Sequence, residues 1–173
     1  MKTGAKEVAI IGTFLALMLA SQFALSWVSG VEIITVLFIT FCYCFGIRRG
    51  LVLACSFSAL RCVIFGFFPA VVILYFIYYN LLALIFGAVG NAFNRKFSVK
   101  ILIVLVALAL VLTAVFTLLD NFITPVFYKF NETTAKTYFI ASLPTLFTQL
   151  ICVAVSVSAL FYPLYHTLMS LKK

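Results

Sequence analysis

The chain has 173 residues, 66% of them apolar and 9% charged, with a mean hydropathy of +1.27. Globular proteins average about 45–50% apolar and about 25% charged residues, so a water-soluble globule, a disordered chain and a disulfide-stapled secreted module are all excluded. The formal charge of +8, from twelve Lys and Arg against four Asp and Glu, sits in short clusters between apolar runs, as in the cytoplasmic loops of a membrane protein rather than on a nucleic-acid-binding face.

The expected class is therefore an all-α polytopic membrane protein. The first apolar run covers about 8–28 and closes at Ser29-Gly30. The second covers about 31–47 and closes at Arg48-Arg49-Gly50; the third, about 51–68, ends at Gly66 and Pro69. The fourth covers about 70–93 and closes at Asn94-Arg95-Lys96. The fifth, about 101–127, is interrupted by Pro125, and the sixth, about 138–168, carries Pro144 near its start and Pro163 near its end. Six spans of roughly 20 residues use about 120, which leaves no room for a soluble catalytic or nucleotide-binding domain. Residues 1–173 read as one transmembrane domain.

Charge sets the expected orientation. Numbering the connections alternately, one side holds Lys2, Lys6, Arg48, Arg49, Arg95, Lys96, Lys100, Lys172 and Lys173, and the other only Lys129 and Lys136. By the positive-inside rule the bundle has both termini in the cytoplasm and lies in the cell membrane. A cleaved signal peptide is the rival reading of the start, but the first apolar run is too long for an h-region and Glu7 is unwelcome there.

Enzyme chemistry finds no foothold. There is no G-x-x-x-x-G-K-[ST] phosphate loop and no H-E-x-x-H. The sole histidine, His166, has no nearby carboxylate with which to hold a metal. Cys42, Cys44, Cys55, Cys62 and Cys152 form no C-x-x-C pair and read as small buried hydrophobes. Neither an enzyme nor a bound cofactor or metal is expected.

Intramembrane charges are functional candidates by default. Glu32 opens the second run at the outer surface, while Arg61 and Asp120 lie roughly 10 Å below it at 1.5 Å per residue. The fourth run brings Tyr75, Tyr78, Tyr79 and Asn80 down from the same side, the sixth brings Gln149 to a comparable depth, and Trp27 closes the first run there. The inner half offers little beyond basic ends and apolar centres. An outward-opening pocket lined by Trp27, Glu32, Arg61, Tyr75, Tyr79, Asn80, Asp120 and Gln149 suits a small molecule, with Arg61 as anion or hydrogen-bond anchor and the aromatics stacked on a planar ring. The same residues admit a purely structural account: an ion pair of Arg61 with Glu32 or Asp120, an interfacial aromatic belt, and a helix-to-helix hydrogen bond from Gln149. On the first run Gly12, Ala16, Ala20 and Ala24 recur every fourth residue, a small-residue stripe that serves either packing within the bundle or docking of a partner helix.

These features resemble the substrate-binding S component of an energy-coupling factor (ECF) vitamin transporter, an ABC-type importer of bacterial membranes, over nearly the whole chain. Ala16-Leu17-Met18-Leu19-Ala20 matches the A-x-x-x-A motif of the family's first helix. Val31-Glu32-Ile33-Ile34-Thr35 is similar to the V-E-L-V-[ST] opening of the second helix in one subgroup, with Ser29-Gly30 where a proline-asparagine usually precedes it. The stretch Leu60-Arg61-Cys62-Val63-Ile64-Phe65-Gly66-Phe67-Phe68-Pro69, followed by Tyr75-Phe76-Ile77-Tyr78-Tyr79, looks like the same subgroup. The resemblance implies six spans and capture of a vitamin or related micronutrient, such as riboflavin, thiamine, cobalamin, a pyridoxine-type ring or a queuosine precursor. It further implies delivery by toppling against a transmembrane T component driven by two ATPase subunits, with the A-x-x-x-A stripe docking the T component. The rival expectations are a stand-alone ion-coupled carrier and a non-transport membrane scaffold; the first is disfavoured by the lack of broken helices in paired internal repeats.

Overall fold

The structure, a computed structural model, describes residues 4–27 and 33–172. Glu32, together with Ser29, Gly30 and Val31 of the α1–α2 connection and the terminal Lys2 and Lys173, lies outside the described residues. Six helices make up the fold: α1 (Ala5–Leu25), α2 (Ile34–Phe45), α3 (Ile47–Phe65), α4 (Pro69–Ala92), α5 (Val99–Phe127) and α6 (Glu132–Lys172). Four of them, α1, α4, α5 and α6, are long and apolar enough to cross a membrane. Successive helices run in alternate directions. One end of the bundle gathers Glu7, Arg49, Arg95 and the close of α6, and is called here the basic end. The opposite end holds the α3–α4 and α5–α6 connections.

The α2–α3 boundary differs from the sequence expectation. Arg48-Arg49-Gly50 does not form the connection but the first turn of α3; the chain breaks earlier, at Gly46, where φ is +85°. Glycine reaches that backbone region without steric penalty, whereas a charged helix-forming pair such as Arg48-Arg49 has no reason to stop a helix. The Gly46 N–H still donates to the Cys42 carbonyl (2.8 Å), and the Gly50 N–H donates to the Gly46 carbonyl (3.1 Å), so the break loses little hydrogen bonding. As a result α2 has only 12 residues, about 18 Å, well short of the ~30 Å hydrocarbon core. Its residues Thr35–Phe45 are all buried. A helix apolar on every side belongs inside a bundle, and α2 packs against α1, α3, α4 and α6.

At the basic end α2 turns in a notch on α4. Gly87 and Gly90 lie on one face of α4, as residues three apart do. A Cβ on Gly90 would collide with the Tyr43 carbonyl, and one on Gly87 would come within 2.7 Å of the Ile47 backbone nitrogen. Two tyrosines then fix the α4–α5 connection: the Tyr43 hydroxyl donates to the Lys96 carbonyl (2.6 Å) and the Tyr165 hydroxyl to the Arg95 carbonyl (2.8 Å). Asn94 and Arg95 take positive φ, and the Arg95 N–H donates back to the Gly90 carbonyl (2.8 Å), a Schellman-type closure of α4.

Pro144 and Pro163 lie inside α6 rather than at its ends, so this helix runs 41 residues, and α6 begins at Glu132 rather than near Tyr138. By contrast α1 is lightly held. Phe14 and Met18 are its buried side chains, Phe14 against Phe41 at 5.1 Å between ring centroids, and an ion pair joins Glu7 to Arg49. Gly12, Ala16, Ala20 and Ala24 all lie on the exposed opposite face.

Gly90→Val is expected to lower stability by about 1–3 kcal/mol or more, since overpacking against backbone cannot relax by side-chain rotation. Gly12→Ala, whose new Cβ meets nothing within 4 Å, should leave the melting temperature unchanged or raise it. Thermal unfolding of the detergent-solubilised variants measures both.

Candidate ligand-binding site

Residues four apart share a helix face, and that spacing assembles an aromatic cluster toward the opposite end. Phe57 and Arg61 lie on one face of α3, and Tyr75 and Tyr79 on one face of α4. The Tyr79 ring meets Phe57 (4.9 Å) and Phe38 of α2 (5.0 Å) edge-on, and Tyr75 at 5.5 Å. The Arg61 guanidinium sits 3.9 Å from the Tyr75 ring centroid and 5.6 Å from that of Phe65. This is a cation–π arrangement, the ring's negative face standing in for a counter-ion. The Arg61 Nε is nevertheless buried without a hydrogen-bond partner. Among the described residues five other buried polar atoms share its condition: Ser58 Oγ, one turn back on α3, Gln22 Oε1, near the end of α1, and, elsewhere, Arg95 Nε, Thr113 Oγ1 and Asn121 Oδ1. Phe23 of α1 lies 6.4 Å from Phe65, which brings the ends of α1 and α3 together. Such unpaired buried groups each cost about 1–3 kcal/mol unless something meets them.

A second, polar group lies between α5 and α6. Tyr138, Ala141, Ser142, Thr145 and Gln149 follow helical spacing along α6 and face Phe116, Thr117 and Asp120 across a cavity of about 280 Å³. The Asp120 carboxylate accepts from the Tyr138 hydroxyl (2.6 Å) on one oxygen and from the Thr124 hydroxyl (2.7 Å) on the other. Asn121 donates to Ser142 (2.8 Å), and Thr117 donates to the Gln149 side-chain oxygen at 3.5 Å. Hydroxyl donors rather than a cation thus hold the carboxylate.

Phe116 joins the two groups. It lines the cavity and touches Tyr78 (4.6 Å) and Tyr75 (5.7 Å). The sequence candidates are distributed accordingly. Asp120 and Gln149 line the α5–α6 cavity; Arg61, Tyr75 and Tyr79 form the aromatic cluster on the other side of Phe116. Asn80 is spent between helices, donating to the Phe76 carbonyl (2.7 Å) and accepting from Cys55 at 3.5 Å. Trp27 is 91% exposed beyond α1 and contributes no wall. The ion pairs among the described residues are Glu7–Arg49 and Glu132–Lys136, so Arg61 does not pair with Asp120.

Sequence reasoning missed Phe116, Tyr138, Ser58 and Gln22. Phe116 precedes Asp120 by one turn and Tyr138 precedes Gln149 by three, so helical spacing from the chosen residues could have found both. The basic end is also less bare than expected: a cavity of about 970 Å³ lies there. No cluster of three or more metal-ligating side chains occurs among the described residues. No protein-family model, curated protein or solved structure matches this chain, so the chemistry of the site rests on its own geometry.

Tyr138→Phe is expected to destabilise the protein by about 1.5–3 kcal/mol, the usual worth of a hydrogen bond to a charged acceptor. A double-mutant cycle with Asp120→Ala, read by thermal unfolding, should return most of that loss as coupling between the two residues.

Proposed function

We propose that this protein is the substrate-binding S component of an ECF-type vitamin importer, a six-helix membrane bundle with both termini cytoplasmic, in which α2 is too short to cross alone and is enclosed by its neighbours. It captures a planar, polar micronutrient at the opposite end of the bundle, here the outer side. The observation that carries the reading is Arg61 Nε and, one turn back on α3, Ser58 Oγ, both buried without hydrogen-bond partners, with the Arg61 guanidinium against the Tyr75 ring and Tyr79 beside it. A ligand with ring and hydrogen-bonding groups supplies what those atoms lack. Arg61 anchors an anionic or carbonyl group, while Tyr75 and Phe116 offer aromatic faces. Asp120 and Gln149 complete the polar side through the α5–α6 cavity.

The delivery step uses α1. Its Gly12, Ala16, Ala20 and Ala24 stripe is exposed and carries no side chain larger than a methyl, so a partner helix can approach closely there. The T component is that partner, and two ATPase subunits drive the cycle through it. The spans contain few ionisable groups, which lowers the cost of rotating the loaded bundle in lipid.

Arg61→Ala should weaken ligand binding by about tenfold or more, an anchor of about 1.4 kcal/mol or above. Isothermal titration with riboflavin, thiamine and cobalamin, after native mass spectrometry of the purified protein for a retained ligand, measures it; unchanged affinity removes the anchor. Ala16→Leu with Ala20→Leu should abolish cellular uptake while binding by the purified protein stays intact. Uptake that survives this pair overturns the docking role of α1.

A further inference from the structure

The cavity of about 970 Å³ at the basic end lies outside the proposed substrate site and has two kinds of wall. Arg48, Arg49 and Arg95 line it against a single carboxylate, Glu7, which pairs with Arg49. Arg48 is exposed, and Arg95 donates through one terminal nitrogen to Asn91 (2.9 Å) while its buried Nε has no hydrogen-bond partner. Gly46, the α3 N-cap, also lines the cavity and supplies no side chain to the N–H groups of the first turn, of which that of Ile47 lies against Gly87 and those of Arg48 and Arg49 follow it. Guanidinium groups and helix N–H groups converging on one volume recognise a phosphate oxyanion.

Apart from Ser56 and Asn91, the remaining wall is hydrocarbon. Val8, Ile11 and Leu15 follow one another along α1 over two turns and face Val52 of α3. Val8 and Val52 are both exposed, so the cavity opens sideways toward the lipid rather than only along the bundle axis. A free phosphate matches the cationic part and leaves the apolar groove unexplained. We propose that this cavity holds one anionic phospholipid, its phosphate between Arg48 and Arg95 and an acyl chain along Val8, Ile11 and Leu15. The site is independent of which micronutrient the protein carries.

Native mass spectrometry of the intact protein, released from detergent containing equal phosphatidylglycerol and phosphatidylcholine, tests this. The wild-type protein should retain one phosphatidylglycerol with a preference of about tenfold or more, and Arg48→Gln with Arg95→Gln should abolish that preference. Lys96→Gln with Lys100→Gln removes equal charge from exposed positions at the same end and should leave it intact. Arg48→Gln alone alters an exposed side chain and should still lower the preference several-fold, so the test survives if the Arg95 variant fails to fold. Three results overturn the proposal: equal retention of both lipids, an equal loss in the lysine variant, or complete displacement of phosphatidylglycerol by millimolar inorganic phosphate, which would mark a site for the free anion.

Discussion

The fold depends on backbone meeting backbone at one point. At Gly46 the chain reverses between α2 and α3, and this reversal lies in the notch that Gly87 and Gly90 leave on α4. Neither glycine can carry a side chain without striking Tyr43 or Ile47. Tyr43 spans three parts of the molecule: its carbonyl rests on α4, its own backbone belongs to α2, and its hydroxyl reaches the α4–α5 connection. With that end fixed, α2 holds Phe38 at the level of Tyr79 and so seats the aromatic cluster from below. A short, almost entirely buried helix anchored at one end thereby determines where the rings of the aromatic cluster stand.

The two charged residues in the candidate site solve the same problem differently. Arg61 lies against a π-face and Asp120 accepts from two hydroxyls. Direct pairing would have neutralised both and left a site with little field. With the Phe116 ring between the two groups, each finds partners of its own, a π-face for Arg61 and two hydroxyls for Asp120, which lowers the cost of a low-dielectric interior. The arrangement can present a cationic and an anionic group to opposite sides of one ring-shaped molecule.

Composition and charge spacing made the all-helical architecture legible, because an apolar run of spanning length has few other outcomes in a chain this poor in charge. The candidate residues at the opposite end were legible as individuals: Arg61, Tyr75, Tyr79, Asp120 and Gln149 are polar or aromatic where the surroundings are aliphatic. Their partition into two groups was not, since it depends on which helices are neighbours, and hydropathy carries no information about that. The Arg48-Arg49 pair misled for a physical reason. Charge marks an end of a span, but glycine at positive φ ends the helix, and here the two are offset by a few residues. Asn80 shows a similar limit: its amide donates to a carbonyl one turn back on its own helix, a partner that hydropathy does not reveal.

The helices also differ in height. The α1 and α4 helices have 21 and 24 residues, while the α5–α6 hairpin has arms of 29 and 41. At 1.5 Å per residue α6 extends about 60 Å, twice the thickness of a hydrocarbon core of ~30 Å. The opening turns of α6, with Glu132 and Lys136, are polar and exposed, so part of that excess length need not lie in hydrocarbon. The hairpin therefore closes in a hydrophilic tip, at the end of the bundle remote from Arg48, Arg49 and Arg95.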